Sequence, residues 1–161
     1  MRGGALPPAL LFAALGLALA FAPPRAWLWS LIALGAALAA LSRVAVPPSW
    51  LEVAFAGCWA STAATAATVH LPRGLGVRGA LALAINAGVW AGAVVALAGS
   101  PADLLKAAPC FVLVLPAAWL IRHRASIAVK VASSWLIAIA ILVATLPFLP
   151  VTPGYMPDHL E

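Results

Sequence analysis

Charge is what this sequence has least of. Only 8% of its 161 residues are Asp, Glu, Lys or Arg, against about 25% in an ordinary soluble domain. A soluble fold covers itself with charge, and this chain has too little to do so. Acids are scarcest, four against nine Lys and Arg. Cysteine is nearly absent as well. Cys58 and Cys110 both lie inside apolar runs, with no CxxC and no metal-finger spacing. Neither a disulfide framework nor a zinc site is encoded. HExxH, P-loop and GxSxG patterns are missing. No pair of acids is left over for general acid–base work. No enzyme, resident metal or cofactor is expected.

What is there is apolar: 65% of the chain is hydrophobic. The bilayer is the solvent that fits this composition. The formal charge of +5 does not describe a nucleic-acid surface. The cations come one to three at a time between apolar runs, without a basic face of interleaved aromatics.

Six such runs stand near 7–22, 26–42, 50–69, 79–99, 103–121 and 125–146. A spanning helix takes about 20 residues, and the last four runs reach that length. The first two are shorter, with only "AFAPPRAW" between them, and read as a tight hairpin. The expected fold is an all-α, polytopic transmembrane bundle of about six spans. One transmembrane domain covers 1–149, and a short tail covers 150–161.

The first run also reads as a signal peptide, with Ala18-Leu19-Ala20 as a small-residue cleavage site. Charge counting argues for keeping it. With six spans and the N-terminus outside, the inner loops hold Arg25, Arg73, Arg78, Arg122, Arg124 and Lys130. The outer side holds Arg2, Arg43 and Lys106. Cleavage would reverse every loop. The positive-inside rule therefore favours six spans with both termini periplasmic. Arg73, Arg78, Arg122 and Arg124 become inner-face anchors. The alanine-rich composition points to a bacterial inner membrane. Trp27, Trp29, Trp50 and Trp119 fall near span edges, where amphipathic rings settle. Trp59, Trp90 and Trp135 lie deeper, as packing residues.

The few acids have structural work. Ser49 and Glu52 fit a capping box at the start of the third run, which accounts for an acid beside lipid. Ser100, Pro101 and Asp103 repeat the device at the fifth run, with Lys106 in reach of Asp103. Asp158, His159 and Glu161 in the tail are potential metal ligands, but a chain end gives them no fixed geometry.

Small residues mark contact faces. Gly57, Ser61, Thr65 and Thr68 share one side of the third helix. Ala84, Gly88, Gly92 and Ala96 recur every fourth position on the fourth. Such stripes let backbones approach closely, and two on consecutive helices predict a tight third–fourth pair. The same stripe offers a face to a partner subunit or a second copy. Thr62 and its neighbours are expected to bond back to their own helix. Asn86, Ser133 and Ser134 are better candidates for bonds between helices. Pro109 and Pro116 predict a kink in the fifth run.

Three functions follow. The leading one is a non-enzymatic accessory or assembly subunit of a larger membrane complex, held by the lipid bilayer and by other subunits or its own copies. The second is a small homo-oligomeric transporter or channel, its path along Ser61, Thr65, Asn86 and the Pro109 kink. The third is an intramembrane thiol or soft-metal carrier. For that role Cys58 and Cys110 stand at similar depths after their helix starts. One further pattern is faint. "APPRAWLWSL" and "GSPADLLKAA" both open a helix behind a proline, as three plus three inverted spans would.

Overall fold

The structure is a computed structural model that describes residues 5–72 and 74–146. Everything regular in it is helical. In chain order the helices are α1 (Leu6–Leu19), α2 (Arg25–Leu41), α3 (Leu51–Ala67), α4 (Val77–Ala98), α5 (Pro101–Ala107), α6 (Val114–Arg122) and α7 (Ser126–Thr145). Single 3-10 turns, Pro48–Trp50 and Thr68–His70, lead into and out of α3. A longer 3-10 segment, Ala108–Leu113, joins α5 to α6, so Pro101–Arg122 forms one irregular rod. Each apolar run of the sequence thus becomes one helical stretch. Among the described residues, three are long and apolar enough to cross a membrane: α4, the Pro101–Arg122 rod and α7.

The shortest of the six is the most buried. Leu11, Ala14, Leu15 and Leu19 of α1 have no exposed surface. A helix that is apolar all round belongs in an interior, and α1 packs against α3, α4, the Pro101–Arg122 rod and α7. Its 14 residues reach only about 21 Å at 1.5 Å per residue. Wrapped by other helices, it needs no match to the lipid thickness. The large exposed side chains are themselves apolar, among them Leu28, Trp29, Leu105, Trp119, Ile127 and Trp135.

Contacts fix the directions. α4 runs parallel to α2, because Gly88 meets Leu34 and Ala37 while Gly92 meets Leu38 and Leu41. α4 runs antiparallel to α3, where Gly57 meets Trp90 and Ser61 bonds Asn86. α7 packs on α3, with Ser133 donating to the Ala66 carbonyl at 2.6 Å and Ser134 3.4 Å from His70, and it starts where the Pro101–Arg122 rod, which sets out from the far end of α4, finishes. Leu75 donates to the Phe21 carbonyl at 3.4 Å, which ties the links after α1 and α3 together. The links after α1, α3 and α6 therefore share one end of the assembly. Arg25, Arg78, Arg122, Arg124 and Lys130 belong to that end. Glu52, Asp103, Arg43 and Lys106 belong to the other.

Two sequence expectations need correction. Pro47 and Pro48 carry a 3-10 turn that takes in Ser49, so α3 starts at Leu51 with Trp50 at its N-cap. Ser49 is not the cap, although Glu52 stays in the first turn. Trp135 is not a packing residue: it is 71% exposed. The Pro109 break is present as the 3-10 segment. It lets Pro116 sit in the first turn of α6, where a missing N–H costs little. Arg2, Arg73, Asp158, His159 and Glu161 lie outside the described residues.

The turn after α6 is a Schellman motif. Ala125 donates to the Leu120 carbonyl at 2.8 Å and Arg124 to that of Ile121 at 3.1 Å. The motif needs one residue in the left-handed region, and here it is Arg124, with φ of 61°. A side chain there costs roughly 1 kcal/mol that glycine avoids. Arg124→Gly is expected to stabilise the protein by about that amount, read from thermal unfolding in detergent. Unchanged or lower stability would mean that the arginine side chain offsets the strain through a contact of its own.

Candidate functional site

The fifth-run acid caps a helix. The Asp103 carboxylate accepts the Ser100 backbone N–H at 2.9 Å and the Ser100 hydroxyl at 3.2 Å. Lys106 follows one turn on, 3.4 Å from the other carboxylate oxygen. These groups are committed to the end of the rod and leave nothing acidic at mid-depth among the described residues.

The α4 stripe is filled from within the chain. A methyl group added at Gly88 would lie 2.6 Å from the Ala37 side chain and 2.9 Å from the Leu34 carbonyl. One added at Gly92 would lie 2.9 Å from Leu41. The helix that uses these glycines is α2, not α3 as the sequence pattern predicts. Ala84 is buried on the same side, and Ala96 is exposed. The Gly57 stripe does meet α4, but by a different fit, with the Trp90 ring seated on Gly57.

Beside that ring runs a short polar chain. The Trp90 indole N–H donates to the Asn86 carbonyl oxygen at 3.1 Å, and the Asn86 amide donates to Ser61. An amide between apolar helices without such partners would cost several kcal/mol, so the chain fixes the α3–α4 register. Thr62 bonds the Cys58 carbonyl at 2.8 Å and Thr68 the Thr65 carbonyl at 2.7 Å. The buried hydroxyls of Ser30 and Thr65 have no hydrogen-bond partner among the described residues. Ser61, Asn86 and Thr65 thus gather near α3 and α4. The 3-10 segment bearing Pro109 packs on α1 instead.

The two cysteines differ. Cys58 is fully buried in α3, while Cys110 is half-buried in the 3-10 segment, and both are free. α1 packs against both elements that carry them. Cys110 lines a groove of about 760 Å³ with almost no polar surface. Its floor is Ala13 and Leu17 of α1. One wall is Cys110 and Leu113, and the other is Val131 and Trp135 of α7. The groove is a wedge. α6 packs on α7 near their joining turn, and the two rods diverge beyond it. Sequence reasoning missed this site because no motif marks it. Its one signal is the run of alanines that keeps the α1 floor shallow.

No cluster of three or more metal-ligating side chains occurs among the described residues. The chain matches no protein-family model, no curated protein and no solved structure.

The glycine fit yields a controlled comparison. Among the described residues, Gly35 has nothing within 4 Å of an added methyl, whereas Gly88 has backbone at 2.9 Å. Gly88→Ile is expected to cost roughly 2–4 kcal/mol through α2–α4 separation, and Gly35→Ile less than about 0.5 kcal/mol. Unfolding of the two variants in detergent checks this. Equal losses would contradict the fit.

Proposed function

We propose that this chain is an integral protein of a bacterial inner membrane, crossing it six times, and that it is a small non-enzymatic carrier for an uncharged, largely apolar solute. The groove is the observation that carries this reading. Its 760 Å³ falls in the size range of small-molecule sites, about 300–1,000 Å³. Its lining offers neither charge nor a fixed polar anchor, so ions are poor ligands for it. The distribution of cations supports the orientation. Five described Lys and Arg gather at one end without an acid, which fits the cytoplasmic side. Alternating helix directions support six crossings, with α1 sheltered in the middle.

The reading as an accessory subunit keeps one supporting observation. Only 17% of the apolar stretch of α7 and 22% of that of the Pro101–Arg122 rod are buried, against 44% for α4. Lipid or a neighbouring subunit covers those faces. The α4 glycines no longer argue for a partner, because α2 occupies them.

Binding separates the two. In nanodiscs, an uncharged alkyl-chain fluorophore is expected to bind the full chain saturably. Ala13→Trp, which fills the groove floor, should weaken it about tenfold, roughly 1.4 kcal/mol. Unsaturable partitioning that Ala13→Trp leaves unchanged would contradict the carrier. A stoichiometric membrane partner lost on Trp135→Ala would favour the accessory subunit.

A further inference from the structure

The helix contacts repeat themselves in reverse. Gly88 of α4 meets α2 at the Leu34 carbonyl and at Ala37. Gly16 of α1 meets the 3-10 segment and α6 at the Phe111 carbonyl and the Val114 backbone nitrogen. A methyl group at either glycine would come 2.9 Å from its carbonyl oxygen. Phe111 follows Leu34 by the same interval that separates Val114 from Ala37, and Pro101 from Pro24. The two prolines both stand where a helix opens, at the N-cap of α2 and the first residue of α5. Both crossings are parallel, and they run in opposite directions through the assembly.

We infer that α1–α3 and α4–α7 are two halves of an inverted repeat, each carrying one apolar wedge, so that a second site for the same uncharged solute lies on α4. The first half is α1, α2 and α3. The second is α4, the Pro101–Arg122 rod and α7. A two-fold relation maps the α2–α4 contact onto the rod–α1 contact, and α3–α4 onto α7–α1. It maps α1–α4 and α3–α7 onto themselves, and all six of these contacts are present. Three contacts depart from it among the described residues: α1 packs broadly on α3 where α4 has no comparable contact with α7, and the α6–α7 and α4–α5 contacts exceed their counterparts α2–α3 and α1–α2.

The same relation locates the second wedge. Gly88 follows Gly16 by the interval that separates Ile85 from Ala13 and Val89 from Leu17. Ala13 and Leu17 floor the groove on α1. Ile85 and Val89 are large apolar side chains left 49% and 40% exposed on α4. At 100° per residue they fall between the face that Gly88 gives to α2 and the face that Asn86 and Trp90 give to α3. The rod and α7 flank the first floor, and α2 and α3 flank the second. The occupant is the same by descent of the site, an uncharged apolar solute, and this part rests on the carrier reading. Two like sites on oppositely directed halves are the arrangement by which inverted-repeat carriers serve both membrane faces.

Paired cysteines test the repeat in the full chain, with Cys58→Ala and Cys110→Ala as background. A side chain at Gly92 would have its Cβ 3.3 Å from that of Leu41, close to disulfide geometry. The repeat maps this pair onto Ala20 and Ala118. Oxidation in membranes is expected to link both Leu41→Cys with Gly92→Cys and Ala20→Cys with Ala118→Cys. A link in the first pair alone overturns the repeat, and so does a link in neither. Monomeric elution of each variant checks that it folds. An uncharged diazirine-bearing alkyl alcohol, titrated into nanodiscs, tests the sites. Two saturable labelling sites are expected, one lost in Ala13→Trp and the other in Val89→Trp. Labelling at α1 alone overturns the second site and leaves the carrier reading standing. No saturable labelling overturns both.

Discussion

Helix α1 is the constraint on which the rest depends. It has no polar face and too few residues to cross a bilayer comfortably, so it is stable only where other helices enclose it. Enclosure needs neighbours that approach closely. Gly16 lets the Pro101–Arg122 rod lie against its backbone, and Ala14 and Ala18 keep its other sides narrow. Close approach maximises dispersion contacts, the main attraction left between helices once water is absent. The outer helices then present apolar surface outward, where a soluble protein would present charge.

Hydrogen bonding supplies the register that dispersion alone leaves loose. The chain Trp90–Asn86–Ser61 pins α4 to α3, and Ser133 pins α7 to the Ala66 carbonyl. Each is a side-chain bond between helices that have few other ways to choose their axial position. Charged groups stay at the ends. The result is an interior with hydroxyls and an amide but no ionised group among the described residues. That chemistry suits an uncharged ligand far better than an ion.

Much of the fold was legible because long apolar helices announce themselves one at a time. The six apolar runs lie within a few residues of the six helical stretches, and the Ser100–Asp103 cap follows from its residue types alone. Asn86 and the pair Ser133-Ser134 stand out as polar groups in apolar runs. What could not be read was which helix meets which. The stripe of Ala84, Gly88 and Gly92 defines a face, but a face does not name its occupant, and α2 rather than α3 fills it. Ser49 misled for a local reason. A proline pair starts a 3-10 turn as readily as it precedes a cap. The groove was invisible because it arises where three segments diverge, and divergence leaves no mark on any one of them.

The proposed carrier requires all six helical stretches to cross the membrane with the cationic end inside. Side-specific labelling of single cysteines tests this most directly, in the full chain with Cys58→Ala and Cys110→Ala. Val44→Cys and Gly99→Cys are predicted to react with a membrane-impermeant maleimide on intact cells. Leu71→Cys and His123→Cys should react only after the membrane is opened. Labelling of Val44→Cys and Leu71→Cys from the same side would mean that α3 does not cross. The inverted halves, and the carrier built from them, would fall with it.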